Sequence, residues 1–185
     1  MIGLSATPEL PRAPRHEAQM LYFMIKPHPA PALEIDRLRR SLGLDSSYPL
    51  KRFHITLQPF GDIRGIAASE LHRIRLAAAS LEAEPFRIAL SRLRGNALVC
   101  ANAHGLRDFQ RRLARRLAAF DVFLPDYAFD PHLSLLYGEW QARNIRVPPI
   151  AWLVDELLLI NSVHGKGHDV IDRWKLLPRQ GSFGF

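Results

Sequence analysis

Hydrophobic and polar positions change period several times along the chain, and each change predicts an element. Residues 1–18 hold three prolines and no apolar repeat, the pattern of a flexible tail. The run 20–26 (MLYFMIK) is apolar, aromatic and of strand length, and Pro27, Pro29 and Pro31 are expected to end it. Ile35, Leu38 and Leu42 then recur at helical spacing, with Gly43 as a C-terminal stop. A strand over 53–60 (FHITLQPF) is punctuated by Gly61-Asp62. Leu71, Ile74, Ala78 and Leu81 mark one face of a helix within 66–82. Residues 86–92 alternate with period two, and Gly95-Asn96 predicts a turn into a short strand at 97–101.

The second half repeats the theme. Leu106, Phe109, Leu113, Leu117 and Phe120 stripe a long helix, a linker follows, and 132–137 (HLSLLY) is a strand. Two further apolar runs, 154–160 and 170–176, flank His164-Gly165-Lys166-Gly167-His168, whose glycines suit a hairpin loop. Seven or eight strands alternating with three helices predict an α+β or α/β sandwich of two similar halves. One domain over 19–178 is expected, with short tails at 1–18 and 179–185.

Composition narrows the class. The 185 residues, 48% hydrophobic and 23% charged, suffice for one core or for two lobes sharing a cleft. A single cysteine, Cys100, can form neither an internal disulfide nor a thiolate zinc cluster, so any metal site must use His, Asp or Glu. No run approaches the roughly 18 apolar residues of a membrane span, and no secretory signal is evident, so a cytoplasmic location away from membranes is expected. The net charge of +7 favours anionic partners such as nucleic acid, nucleotides or acidic headgroups. Arg107, Arg111, Arg112, Arg115 and Arg116 form a basic face on the predicted second-half helix. Either it is an ordinary solvated exterior or it forms a collar for RNA phosphates, with Arg111 and Arg115 as the candidate contacts.

Chemistry is carried by a repeated quartet. His54-Ile55-Thr56-Leu57 lies in one predicted strand and His132-Leu133-Ser134-Leu135 in another. Side chains at i and i+2 of a strand share a face. Each quartet therefore presents an imidazole beside a hydroxyl and turns two aliphatic side chains inward. Two such pairs across a cleft suit phosphoryl transfer without a metal. One neutral imidazole accepts a proton from the nucleophile, and the opposite imidazolium protonates the leaving oxygen. Histidine, with an ordinary pKa of about 6.5, offers both forms near neutrality. The hydroxyls of Thr56 and Ser134 can donate to the non-bridging phosphate oxygens.

With these motifs the chain resembles the two-histidine phosphoesterase superfamily, in its 2′-5′ RNA ligase-like (RNA 2′,3′-cyclic phosphodiesterase) branch. The resemblance runs from about Leu21 to Leu177, through LYFMIKP, FHITLQPFG, FDPHLSLLYG, LLLINS, the Gly-rich loop and WKLLP. It implies a bilobal α+β fold with two antiparallel sheets flanked by helices and an active cleft between the lobes. It implies hydrolysis of RNA or nucleotide 2′,3′-cyclic phosphates to 2′-phosphomonoesters, with reversible 2′-5′ ligation in some relatives and no cofactor or metal. His54 and His132 become the acid–base pair, and Thr56 and Ser134 the phosphate binders. The second motif departs from the usual pattern in carrying Ser for Thr. His168 stands where relatives often have an aromatic residue able to stack on a base, which makes it a candidate RNA contact.

The other histidines (His16, His28, His72 and His104) are expected to be solvated. Trp140, Trp152 and Trp174 are expected to be packing anchors, and Cys100 a core residue. Three rival functions remain: a non-catalytic RNA-binding module, a cyclic phosphodiesterase for an ADP-ribose derivative, and a protein-interaction domain using the basic helix. The pattern leaves oligomeric state open, with a monomer as the expectation.

Overall fold

In the computed structural model, which describes residues 18–44, 47–136, 144–164 and 166–178, strands and helices alternate much as the hydrophobic periods predict. The first half runs β1 (Gln19–Ile25), α1 (Pro29–Ser41), β2 (Ile55–Asp62), α2 (Ala68–Ala79) and β3 (Phe86–Arg94). The second runs β4 (Ala97–Cys100), α3 (His104–Ala119), β5 (His132–Ser134), β6 (Asn144–Val154), β7 (Glu156–Val163) and β8 (Gly167–Lys175). The expected tails, apart from Ala18, lie outside the described residues, as do Gly165 in the hairpin loop and Trp140.

The strands form two four-stranded sheets, ordered β2-β1-β7-β8 and β5-β4-β3-β6. All pairings within them are antiparallel. The units β1-α1-β2 and β4-α3-β5 are equivalent, because each helix returns the chain to an edge strand beside the strand that preceded it. This is the two-halved α+β arrangement. β6 completes one sheet, the chain crosses at Asp155, and β7 enters the middle of the other.

Alternation and amphipathic stripes place one continuous core between the sheets and helices. Phe23, Leu57, Ile74, Leu90, Leu113 and Leu133 meet there. The inward positions of both quartets, Ile55, Leu57, Leu133 and Leu135, are all buried. Trp152 is buried too, and Trp174 packs edge-on against Phe23 with ring centroids 5.8 Å apart. Both act as packing anchors.

Several boundaries differ from expectation for physical reasons. Pro29 and Pro31 open α1 rather than merely ending β1, because the first helical turn has no use for their missing N–H groups. Gly43 (φ +67°) does stop that helix: its N–H reaches the Arg40 carbonyl and that of Leu44 reaches Arg39, a left-handed cap that favours glycine. β2 runs on through Gly61-Asp62, where Gly61 (φ +101°) sits beside a register shift against β1. Pro148 and Pro149 hide β6 from a reading by sequence pattern. It is an edge strand, and the two prolines fall where its register with β3 slips, so no ladder donor is lost.

Candidate active site

The two quartets occupy equivalent edges. β2 is the outer strand of one sheet, β5 the outer strand of the other, and the two strands lie in contact. His132 is the first residue of β5, whereas His54 immediately precedes β2, not inside it as expected. A short 3-10 turn, Leu50–Arg52, delivers it there.

The same hydrogen bond recurs in both halves. His54 Nδ1 lies 2.7 Å from the carbonyl of Arg52, and His132 Nδ1 lies 2.8 Å from that of Asp130. In each case the partner is the backbone two residues earlier. A carbonyl oxygen can only accept, so each Nδ1 must carry the proton. That leaves each Nε2 as the ring atom able to take a proton when neutral or give one when charged. The second motif is braced further: the Asp130 carboxylate pairs with Arg94, and the Leu135 N–H donates to the Asn96 carbonyl at 2.9 Å.

The surroundings of the two imidazoles are unlike. His54 is pressed edge-to-face against His168, with ring centroids 4.8 Å apart and planes at 82°. Burial pushes the His54 pKa down to about 4, against the pull of the Arg52 carbonyl, and Lys26, His132 and Arg52 add electrostatic pressure in the same downward direction. His168 is pushed down to about 3, by burial first and then by His54, Lys26 and Arg52. His132, by contrast, is exposed. The geometry thus makes His54 a neutral imidazole at physiological pH.

Stability should depend on pH for the same reason. An unfolded chain protonates these histidines near pH 6.5, while the folded chain holds both neutral to about pH 4. The unfolded state therefore binds more protons across that window, and stability falls as pH is lowered through it.

Lys26 and Arg52 are functional candidates that sequence reasoning missed. Lys26 follows β1, donates from Nζ to the Lys51 carbonyl at 2.6 Å, and has its pKa lowered to about 8 by burial and by Lys51. It remains mainly cationic at neutral pH, close enough to both His54 and His168 to bias them. The only hint in the sequence was a lysine closing an otherwise apolar strand.

Thr56 and Ser134 lie two residues beyond their histidines and are half-buried, as the period-two argument requires. Arg111 and Arg115 lie on the exposed side of α3 and have no described contact with either histidine; Arg111 pairs with Asp108 at 3.5 Å. His28 is not simply solvated, since its Nε2 lies 3.1 Å from Asp155 where the chain changes sheets. Cys100 is half-buried rather than in the core, and burial raises its thiol pKa, which disfavours a thiolate nucleophile. Among the described residues, no group of three or more His, Cys, Asp or Glu side chains is placed to hold a metal ion. No helix among them is long and apolar enough to cross a membrane.

Solved structures share this architecture. One reported as a phosphoesterase aligns with 86% of this chain and 99% of its own, at 20% identity and a TM-score of 0.66. Escherichia coli LigT, solved with 3′-AMP, aligns with 88% of this chain and 100% of its own, at 21% identity and a TM-score of 0.65. A protein of Thermus thermophilus aligns with 87% of this chain and 100% of its own, at 17% identity and a TM-score of 0.66. No curated protein matches in sequence. The sequence profile of the 2′-5′ RNA ligase superfamily matches residues 27–166, about three quarters of the chain.

Proposed function

The chain belongs to the 2′-5′ RNA ligase superfamily, and from that premise we propose that it hydrolyses RNA or nucleotide 2′,3′-cyclic phosphodiesters to 2′-phosphomonoesters without a metal ion. Membership supports phosphodiesterase or ligase-type chemistry. The observation that carries the finer reading is the matched pair of Nδ1–carbonyl bonds, which frees one Nε2 on each of two abutting strand edges.

The environments divide the labour. His54, held neutral, takes a proton from water at Nε2 as the water oxygen attacks phosphorus. His132 gives its Nε2 proton to the departing 3′ oxygen. The P–O3′ bond breaks, leaving a 3′-hydroxyl and a 2′-phosphate, and the two histidines exchange protonation states before the next cycle. Thr56 and Ser134 donate to the non-bridging oxygens, where fixed dipoles lower the barrier most. Lys26 and Arg52 offset the phosphate charge. A 5′-hydroxyl attacking in place of water would form a 2′-5′ linkage by the same proton transfers, and this is the route to reversible ligation. The net positive charge suits an RNA substrate. On α3, Arg111 and Arg115 continue the stripe begun by Arg107 at one-turn intervals and are proposed to meet longer RNA. We read the enzyme as cytoplasmic and monomeric. LigT, solved with 3′-AMP, ATP and phosphate, offers a parallel for nucleotide and phosphate recognition.

The direct test is hydrolysis of 2′,3′-cyclic AMP with chromatographic identification of the product. 2′-AMP is expected, at an unchanged rate in excess EDTA. Loss of activity with EDTA, restored by a divalent ion, would overturn the metal-free mechanism. Absence of turnover on every cyclic phosphate would leave the RNA-binding module.

The pH dependence follows from the His54 environment. kcat/KM should be bell-shaped, because one imidazole must be neutral and the other charged. The base form of His54 is complete at neutral pH and is lost only as pH falls through about 4, so the acid limb should lie well below that of a free imidazole. Bound phosphate charge raises the His54 pKa, so the acid limb of kcat should sit at higher pH than that of kcat/KM. A profile still rising at pH 9 would point instead to hydroxide as nucleophile.

A further inference from the structure

The sheet that carries His132 has a second feature that the acid–base chemistry does not use. Antiparallel register aligns His132 with Val99, Val99 with Arg92, and Arg92 with Arg146 across β5, β4, β3 and β6. One step along, Ser134 aligns with Ala97, Arg94 and Asn144. Cross-strand partners share a face, so the arginines lie on the face that presents His132 and Ser134. At about 4.8 Å per strand, Arg92 and Arg146 sit about 10 and 14 Å across the sheet from His132.

Arg92 and Arg146 are directly opposed like charges, an arrangement that costs stability unless an anion lies between them. They are exposed, and together with Arg94 and Arg107 they line a cavity of about 600 Å³ that reaches Asp130 and Pro131 beside His132. Asp130 is the only carboxylate among the described lining residues, and Arg94 already engages it. Arg107 donates to the Phe129 carbonyl at 3.1 Å, which fixes its side chain at the rim. Among the described lining residues, guanidinium groups therefore outnumber the carboxylate that could neutralise them.

We propose that this cavity is a second phosphate subsite, in which Arg92 and Arg146 grip an internal phosphodiester of an RNA strand whose 3′ end lies at the histidines. The proposal rests on the cyclic phosphodiesterase reading for its polarity. A 2′,3′-cyclic phosphate ends a strand, so the remaining phosphates lie on its 5′ side. Planar guanidinium forks suit a phosphodiester's two free oxygens, and pairing with the phosphate relieves the Arg92–Arg146 repulsion. The substrate class is then oligonucleotide rather than mononucleotide.

The test measures binding apart from turnover. A short RNA ending in a 2′-phosphate is titrated, over a salt series, against the wild type and the Arg92→Gln/Arg146→Gln variant. Affinity should fall about ten- to a hundredfold, and the slope of log K against log salt should flatten by about one to two. The ratio of kcat/KM for a cyclic-phosphate RNA to that for the cyclic mononucleotide should fall at least tenfold. Without ligand at low salt, the variant should melt no lower than the wild type, because a repulsion has been removed. Unchanged RNA affinity and slope would overturn the subsite. So would a lower melting temperature with equal losses on RNA and mononucleotide, which would make these arginines structural. If the wild type hydrolyses no cyclic phosphate, the catalytic reading fails while the binding arm still decides the subsite.

Discussion

Replacing His54 or His132 by alanine should lower turnover of a 2′,3′-cyclic nucleotide by about a hundred- to ten-thousandfold, the range of a general acid or base. The double variant should fall far short of the product of the single losses, because each imidazole is useful only while the other transfers its proton. The two single variants should nevertheless differ. His54 is the half-buried member, held neutral beside His168, Lys26 and Arg52, so His54→Ala should remove the proposed acceptor and with it the acid limb of the pH profile. His132 is the exposed member, so His132→Ala should remove the proposed donor and the alkaline limb. A phosphodiester with a nitrophenolate leaving group, which departs without protonation, should restore much of the rate of His132→Ala and little of that of His54→Ala. Equal rescue of both would exchange or dissolve these roles. Wild-type turnover by His132→Ala would remove the second motif from the mechanism. Thr56→Ala and Ser134→Ala should lose less than either histidine variant, since one hydroxyl donor is one of several groups holding the phosphate charge.

Much of this site was legible because it is local. Period-two spacing alone put Thr56 beside His54 and Ser134 beside His132, with Ile55, Leu57, Leu133 and Leu135 inward, and all four aliphatic side chains are buried. The matching halves were legible because β1-α1-β2 and β4-α3-β5 write the same apolar rhythm twice. What stayed hidden depends on long-range geometry. The Nδ1 partners are backbone carbonyls, which every residue possesses, so no residue type announces them. Lys26 reaches His54 only because the 3-10 turn Leu50–Arg52 folds its backbone onto the Lys26 ammonium. The placement of His168 against His54 depends on β8 returning beside that same turn. The opposition of Arg92 and Arg146 needs the register of β3 with β6, a strand whose two prolines argue against it until it is known to be an edge. Local pattern specified the candidate reactive groups, and tertiary contacts specified their surroundings.

Removing the Arg39 guanidinium should be strongly destabilising, on the scale of truncating a large core side chain. Arg39 lies on α1 and is 1% exposed, so its guanidinium is held among protein groups rather than water. Its head pairs with the buried Asp36, donates to the Tyr48 carbonyl at 2.7 Å and reaches the Leu135 carbonyl at 3.4 Å. The guanidinium carbon also lies 5.3 Å from the centre of the Phe53 ring. One side chain thus joins α1, the segment leading to His54, and the residue after Ser134, tying the two half-sites together. Arg39→Ala leaves two carbonyls without this donor and Asp36 with only the exposed Arg40, 2.7 Å away, as its described cationic partner. Breaking such a buried pair costs about 3–5 kcal/mol, a large part of the roughly 5–15 kcal/mol that stabilises a typical domain. For a chain of this length the melting temperature should fall by roughly 6–20 °C. Replacing both partners by aliphatic side chains of similar volume, Asp36→Leu with Arg39→Met, should recover much of that loss, because no buried charge is then left unpaired. Activity should not recover with it, since the Leu135 carbonyl still lacks its tie and the second half-site is free to drift from the first. A drop below about 2 °C in Arg39→Ala would show that water satisfies these groups as well as the guanidinium does. Full activity in the stable double variant would separate the clamp from the alignment of the two histidines.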